Sequence, residues 1–497
     1  MRSWLAFSVL WLGAMTALSQ AVKNERDTDV YRSALRQMVP DKWYISSSAM
    51  LRVTLKKGIK VKQISLDSVT LDSQLDNIVK QGYTSLQIYA TPLGGKSFEG
   101  LDVIDHYRID PGAGTMKDFR RLVRQVHRKG LAIVSIDNLG YCSVDAPHFI
   151  KACKDIRSGK TSRETKWFSW ADSSTSKPPM IPDKYFLGGS ARWEKWVYSP
   201  VAGKYYWSKW DGVDKDGKPC SLPQYNWSTE WQEEVKNIVR TWMNTGIDGM
   251  LLDAVSWYTN YTWQIGKRCL TDIIASYGNA LMLPEGAGGF HEDPVPWITE
   301  GRWNCVIDYG LGIWWEMDTN PLFNAIKNKN PSGLEQALRN FHDRVVAEGA
   351  VLNIDDVGTD LQFKDPAKYY LYTAFVISTG HLYCKQMHSH EEFSADTAMV
   401  SILELKKYAA FGQLAERQQL NTNDNNRYYS FIQKTKSKDE RMLCVFNFQS
   451  DPAKITVDMS GVDATAIVNL STSQKINYSK QMEFNLPAYG YRFFKIL

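Results

Sequence analysis

Alternation of amphipathic helix and short apolar strand predicts an α/β protein: a (β/α)8 TIM barrel with an inserted domain after strand three and a C-terminal antiparallel β domain. Three observations carry this expectation. The alternation starts near residue 70 and comes close to eight repeats; residues 138–224 interrupt it without a strong period of their own; beyond about Asn421 it gives way to period-two strands. The division expected is 20–137 and 225–421 for the two parts of the barrel, 138–224 for the inserted subdomain and 422–497 for a β-sandwich domain.

Taken in order, residues 71–81 read as the first helix and 83–89 as the first strand. Thr115-Met116-Lys117-Asp118 caps a helix with Phe119, Leu122, Val123 and Val126 on one face, and Gly130 ends it before a strand at 131–136. The stretch that follows, rich in Gly, Pro, Trp and Lys, is too long for a barrel loop. The rhythm then resumes with helices at 228–244 and 262–277 and strands at 249–252, 280–283 and 306–307. A longer helical region at 321–348, a strand at 350–354, a helix at 366–378, a strand at 382–383 and a helix at 395–414 complete it. Residues 427–432 and 442–446 alternate with period two, as strands of a half-buried antiparallel sheet do.

Composition sets bounds on function. With 43% hydrophobic and 23% charged residues in 497, the chain has ample core for one large barrel and accessory domains. A net charge of +5, with basic runs no longer than Lys56-Lys57, gives no footprint for nucleic acid and points to a neutral partner. Met1-Arg2, the apolar stretch Trp4 to Leu12 and the small-x-small site Ala17-Leu18-Ser19 predict a secretory signal peptide over 1–19, hence a secreted or periplasmic protein. That apolar stretch is too short to span a bilayer, and nothing later is long enough either, so no membrane span is expected. The seven Cys show no metal-binding pattern; Cys142 with Cys153 is the best disulfide candidate, buried thiols being the alternative.

Three acids follow barrel strands: Asp253 after 249–252, Glu285 after 280–283 and Asp356 after 350–354. In a (β/α)8 barrel the C-terminal strand ends share one mouth, so these carboxyl groups are expected to converge. Retaining glycoside hydrolysis needs such a set: one carboxylate attacks the anomeric carbon and a second protonates the leaving oxygen. A single acid after a strand often only caps the next helix. Three in matching places favour chemistry.

These residues resemble the α-amylase family of glycoside hydrolases from about Lys42 onward. Gly100-Leu101-Asp102-Val103-Ile104-Asp105-His106-Tyr107-Arg108-Ile109-Asp110-Pro111, followed by Gly114-Thr115-Met116-Lys117-Asp118-Phe119, is similar to that family's strand-two loop and next helix. Gly246 to Val255 resembles the strand-four motif, Leu283-Pro284-Glu285-Gly286 the strand-five motif and Asn353-Ile354-Asp355-Asp356 the strand-seven motif. Leu222-Pro223-Gln224-Tyr225-Asn226 resembles the motif that closes the inserted domain. The resemblance implies Asp253 as nucleophile, Glu285 as acid/base, Asp356 as transition-state stabiliser and Asp102 as a sugar ligand, with Tyr141, Asp355 and Trp257 as further candidate substrate-binding residues.

The departures fall around the same site. Leu251 stands where the family has Arg, Asp355 where it has His, and the strand-three motif reads Ile136, Gly140 and Tyr141, with Asp137 and Asn138 adjacent. The family's calcium site draws on the missing Asn, so no metal and no cofactor are expected. Aromatic segments such as Trp167-Phe168-Ser169-Trp170 and Tyr205-Tyr206-Trp207 read equally as platforms for sugar rings or as packing of the insertion. The implied partner is a carbohydrate: the expected function is hydrolysis or transfer at α-glycosidic bonds of an α-glucan or α-glucoside. The alternative is an inactive carbohydrate-binding or scaffold protein on the same barrel.

Overall fold

The computed structural model describes residues 42–46, 49–179, 194–213, 219–255, 277, 279–286, 293–309, 311, 320–356, 363–394, 396–437 and 439–497. The expected signal peptide, Trp257 and nearly all of the helix expected at 262–277 lie outside the described residues.

Eight parallel strands form the barrel: β1 Ala49–Thr54, β2 Ser85–Tyr89, β3 Ala132–Asp137, β4 Gly249–Leu252, β5 Leu281–Pro284, β6 Cys305–Ile307, β7 Val351–Asp356 and β8 Leu382–Gln386. Their ladders run β5-β4-β3-β2-β1-β8-β7-β6, the cyclic order of the chain. β1 has no counterpart among the expected strands. Arg52 interrupts its apolar run.

Side chains alternate along each strand, since strand geometry repeats every two residues. Met50, Val134, Leu251, Leu283, Cys305, Ile307, Val351 and Leu382 fill the lumen, while Leu51, Ile133, Met250, Leu252, Met282, Leu352, Ile354 and Tyr383 face the helices outside. This parity decides which strand-end side chains can reach the mouth.

Helix α1, Ser68–Lys80, is capped by Asp67, whose carboxylate accepts from the Thr70 amide. Helix α2, Met116–Arg128, carries the expected capping box, Thr115 with Asp118, and buries Phe119, Leu122, Val123 and Val126. Helix α3, Thr229–Met243, starts at the Ser228 cap, and helix α4, Pro366–Ser378, has the predicted bounds. Two long helices expected from periodicity are instead broken. Residues 321–348 form Pro321–Asn328, Leu334–Asn340 and His342–Ala347, because Lys329 turns left-handed and Phe341 leaves helical geometry. Over 395–414 only Thr397–Leu403 is α-helical; two 3-10 turns follow, with Lys406 Nζ donating to Phe411 O and Glu440 accepting from the Ala410 amide.

Between β5 and β6 no backbone ladder is formed among the described residues, and side chains join them. At the bottom, Asn304 Oδ1 accepts from Met282 N (2.9 Å) and its Nδ2 donates to Ala280 O (2.7 Å). At the top, Gly286 N donates to the Tyr309 hydroxyl (2.6 Å).

The insertion folds into helix Pro147–Arg157 and a sheet of Trp170–Ala171, Glu194–Ser199, Lys204–Val213 and Pro219–Pro223. Its aromatics are mainly packing: Trp167, Phe168, Tyr206 and Trp207 are buried, and Trp167 meets Trp231 of α3 edge-on at 5.1 Å. The proposed disulfide is not formed. Cys142 and Cys153 are separate buried thiols; Cys142 hydrogen-bonds Tyr225 and Cys153 lies 3.5 Å from Ser199 Oγ.

A six-stranded antiparallel sheet and a two-stranded one pack around Leu443, Val445, Ile455, Phe484 and Phe494 at the C-terminus. This domain begins with Glu416–Leu420, earlier than the expected 422. That edge strand reads Glu-Arg-Gln-Gln-Leu, without apolar alternation, so sequence periodicity passes over it. Arg417 fastens it to the barrel through Asp343 (2.8 Å) and Glu335.

Replacing Asn304 with Ala would leave Met282 N and Ala280 O without their partners. The expected cost is about 1–3 kcal/mol, read as a lower apparent melting temperature with the secondary structure unchanged below the transition.

Candidate active site

β4 and β5 run in register, Leu251 beside Leu283 and Leu252 beside Pro284, so the residues that follow them leave the barrel side by side. Beyond the strands the pairing continues: Glu285 N donates to Leu252 O and Val255 N to Glu285 O, both at 3.0 Å. Asp253 is held on its other side by a bond from its amide to Asp137 O (2.9 Å). By parity both carboxyl groups point inward. They hydrogen-bond one another.

Ala254 has a left-handed backbone, φ 53°, which aims its amide at Glu285 Oε2 (2.8 Å). A non-glycine residue in this conformation is strained; here the strain delivers a donor to the acid. Asp253 Oδ2 accepts from Asn138 Nδ2 (2.7 Å) and from the Tyr141 hydroxyl (3.2 Å), both on the loop after β3.

Burial raises the proton affinity of both acids. Glu285 is held well above the ordinary carboxyl range by burial and then by the charge of Asp253. Asp253 is raised by burial too, but bonds from Glu285, Asn138 and Tyr141 and the charge of Arg52 favour its ionised form. The pair therefore settles as carboxylate on Asp253 and acid on Glu285.

The third acid of this mouth is Asp355, not Asp356. Val351 faces the lumen, so residues 353 and 355 do too, and 356 faces outward. Asp355 Oδ2 bonds Arg52 Nη2 at 2.7 Å, and its charge is felt by Glu285 and Tyr309. Asp356 instead bonds the Tyr383 hydroxyl and that of Tyr369 (3.3 Å) on α4, between the barrel wall and the helices. The expectation for Asp356 fails by one residue, which in a strand reverses the direction of the side chain. Strand parity counted from Val351 would have found it.

Asp102 is buried on the loop after β2, bonded to Ser143, and burial pushes its carboxyl up to about 6. Gly95 lets it in: a Cβ there would lie 2.1 Å from Asp102 Oδ2. Asp102 Oδ1 is buried without a partner among the described residues, as a group awaiting a hydroxyl would be. Tyr141 sits on the nucleophile candidate itself. Sequence reasoning missed Arg52, Gln87 and Tyr309, and the available signal was a charge inside the apolar run Ala49–Thr54.

Asn138, adjacent to the strand-three motif, is committed within its own loop: its Oδ1 accepts from Gly140 N (2.8 Å) and Tyr141 N (3.2 Å), which occupies its lone pairs. No cluster of three or more His, Cys, Asp or Glu suited to a metal occurs among the described residues.

Residues 66–273 match the model of the α-amylase catalytic domain, and 440–495 that of the sucrose hydrolase-like C-terminal domain. Over residues 66–273 the chain is thus similar to the α-amylase family. A probable α-glucosidase of Rhizobium meliloti is 31% identical over 163 residues, 32% of this chain and 26% of that protein. A trehalose synthase of Thermus thermophilus is 25% identical over 257 residues, 48% of this chain and 24% of that protein. The chain thus spans about a quarter of the length of these relatives. Among solved structures, α-amylase from H. orenii superposes with a TM-score of 0.66 at 16% identity, covering 90% of this chain and 99% of that one. Isomaltulose synthase from Klebsiella sp. LX3 gives 0.67 at 14% identity, with 92% and 99% covered. At such identities these two speak for the fold.

The proton on Glu285 is measurable directly. Infrared spectra at neutral pH should contain a protonated-carboxyl C=O band that disappears in Glu285→Gln; an unchanged spectrum would show that the site holds no such acid.

Proposed function

We propose that this chain is a retaining glycoside hydrolase or transglycosylase acting on α-glycosidic bonds of an α-glucan or α-glucoside. The observation that carries the reading is the buried, hydrogen-bonded pair Asp253 and Glu285 in front of Asp355. Inverting enzymes hold their carboxyl groups roughly 6.5–9.5 Å apart to seat a water between them. Carboxyl groups in direct hydrogen-bond contact leave no such space, which favours the retaining route.

In that route Asp253 attacks the anomeric carbon as the bond to the leaving oxygen breaks, and Glu285 gives that oxygen its proton. Glu285, now ionised, takes a proton from an acceptor hydroxyl, which attacks the same carbon and frees Asp253. Water as acceptor gives hydrolysis; a sugar hydroxyl gives transfer. Asp355 contributes negative charge beside the oxocarbenium-like state, and its Oδ1, buried and without a partner among the described residues, is suited to a sugar hydroxyl. Tyr141 bonds Asp253, and Asp102 bonds Ser143 on the loop that carries Tyr141. Relatives named α-glucosidase and trehalose synthase support an α-glucosidic substrate. The N-terminal pattern supports action outside the cytoplasm.

The scaffold alternative has physics against it. Burying two carboxyl groups carries a desolvation penalty of several kcal/mol even when they are bonded as these are, an expense that a surface used only for binding does not require.

Turnover of p-nitrophenyl α-glucoside and a panel of α-linked disaccharides tests the assignment. Asp253→Asn and Glu285→Gln should each abolish turnover, and Asp355→Asn should lower kcat/KM by about 10²–10³-fold. Asp356→Asn should keep activity within about tenfold while melting earlier, since it loses an outward anchor. A wild type inert towards the whole panel, or an Asp356→Asn variant as dead as Asp253→Asn, would defeat the reading.

A further inference from the structure

The lumen face of β4 carries Leu251 two residues before Asp253, so the strand of the proposed nucleophile supplies no cation. One arrives from the far side of the ring. Arg52 on β1 is 4% exposed and reaches across to Asp355 on β7, Nη2 to Oδ2 at 2.7 Å. Its Nε donates to Gln87 Oε1 on β2 at 2.6 Å, and its guanidinium lies over the Tyr89 ring, 6.0 Å from the centroid. Register fixes this, because Arg52 pairs with Gln87 on one side and with Gln386 on the other.

We propose that Arg52 is the positioning cation of this active site: its fork ties Asp355 to Gln87, and its charge offsets the acids gathered at the mouth. The inference rests on the reading of Asp253 and Glu285 as the reacting pair. With Glu285 protonated, Asp253 and Asp355 contribute two negative charges and Arg52 one positive. The site then carries a single net negative charge, which an oxocarbenium-like sugar neutralises. Without Arg52 two uncompensated charges would share a dry lumen, and a proton would be drawn onto Asp253.

The other titratable groups around these residues do not replace it. Tyr89 on β2, Tyr309 after β6 and Cys384 on β8 are kept neutral by burial, and Tyr141 acts on Asp253 as a hydrogen-bond donor. Burial opposes the charge on Arg52 itself, and Asp355 more than restores it. Gln87 Nε2 and Asp355 Oδ1 have no partner among the described residues. Fixed by the same guanidinium, they form a donor and an acceptor towards the mouth of the barrel, matched to a pair of sugar hydroxyls.

Arg52→Gln and Arg52→Lys separate this role from support of the fold. In Arg52→Gln the acid limb of kcat/KM against pH should move up by about one unit or more, because a nucleophile without its cation binds a proton more readily. Arg52→Lys keeps the charge but not the fork; its limb should stay near that of the wild type while kcat falls at least tenfold. Melting curves establish that each variant is folded, and Arg52→Lys serves if Arg52→Gln is not. A uniform drop in activity with an unmoved limb would overturn the proposal. A second readout needs no turnover: in protein with 13C-carboxyl aspartate, the signal missing from Asp253→Asn should titrate at higher pH in Arg52→Gln. An inert wild type would then count against the proposed reaction alone, and an unshifted Asp253 titration would count against Arg52.

Discussion

Two carboxyl groups cannot be placed in contact inside a protein unless one keeps its proton and the other is well supplied with donors. That constraint organises the mouth of this barrel. Adjacent strands in register force Asp253 and Glu285 together, and the surroundings then divide the labour between them. Asn138 and Tyr141 serve Asp253, the amide of a strained Ala254 turns towards Glu285, and a guanidinium from the opposite wall tempers the total charge. The inserted domain contributes through its first residues, so the long interruption after β3 is part of the site rather than an ornament on it.

Much of this was legible in the chain. Caps at Thr115, Ser228 and Asp365 mark helix starts because side-chain oxygens there satisfy amides that no helix turn can. Gly249 to Leu252 and the strand before Glu285 are short apolar runs bounded by turn residues, and their acids follow directly. What escaped has equally physical reasons. Asp355 and Asp356 are neighbours of identical chemistry, and only the direction imposed by the pleat tells them apart. Arg52 reads as a surface residue in isolation; its partner lies 303 positions away and becomes visible only when the ring closes. The helices beyond 321 and 395 break at Lys329, whose carbonyl accepts from Gln449 Nε2, at Phe341, which leaves helical geometry, and near Lys406, whose Nζ bonds Phe411 O.

Asp355 and Asp356 together show how one strand can serve both faces of a barrel wall. The inner acid meets Arg52, while the outer acid accepts from Tyr369 and Tyr383 and so links β7 to α4 and β8. The outer carboxylate anchors the backbone from which the inner one projects, and the inner one keeps Oδ1 without a partner among the described residues. The same economy appears at Arg417, whose two acidic partners, Glu335 and Asp343, join the C-terminal sheet to the barrel.

The joint between β5 and β6 bears on how the cylinder can move. Seven parallel ladders share their load across many peptide groups, whereas this junction is made by the rotatable side chains of Asn304 and Tyr309. Glu285 stands on the strand beside that junction, so a small parting of the wall there would alter the placement of the acid while leaving the inter-strand register intact. Among the described residues, the one seam of the cylinder without a ladder runs past Glu285.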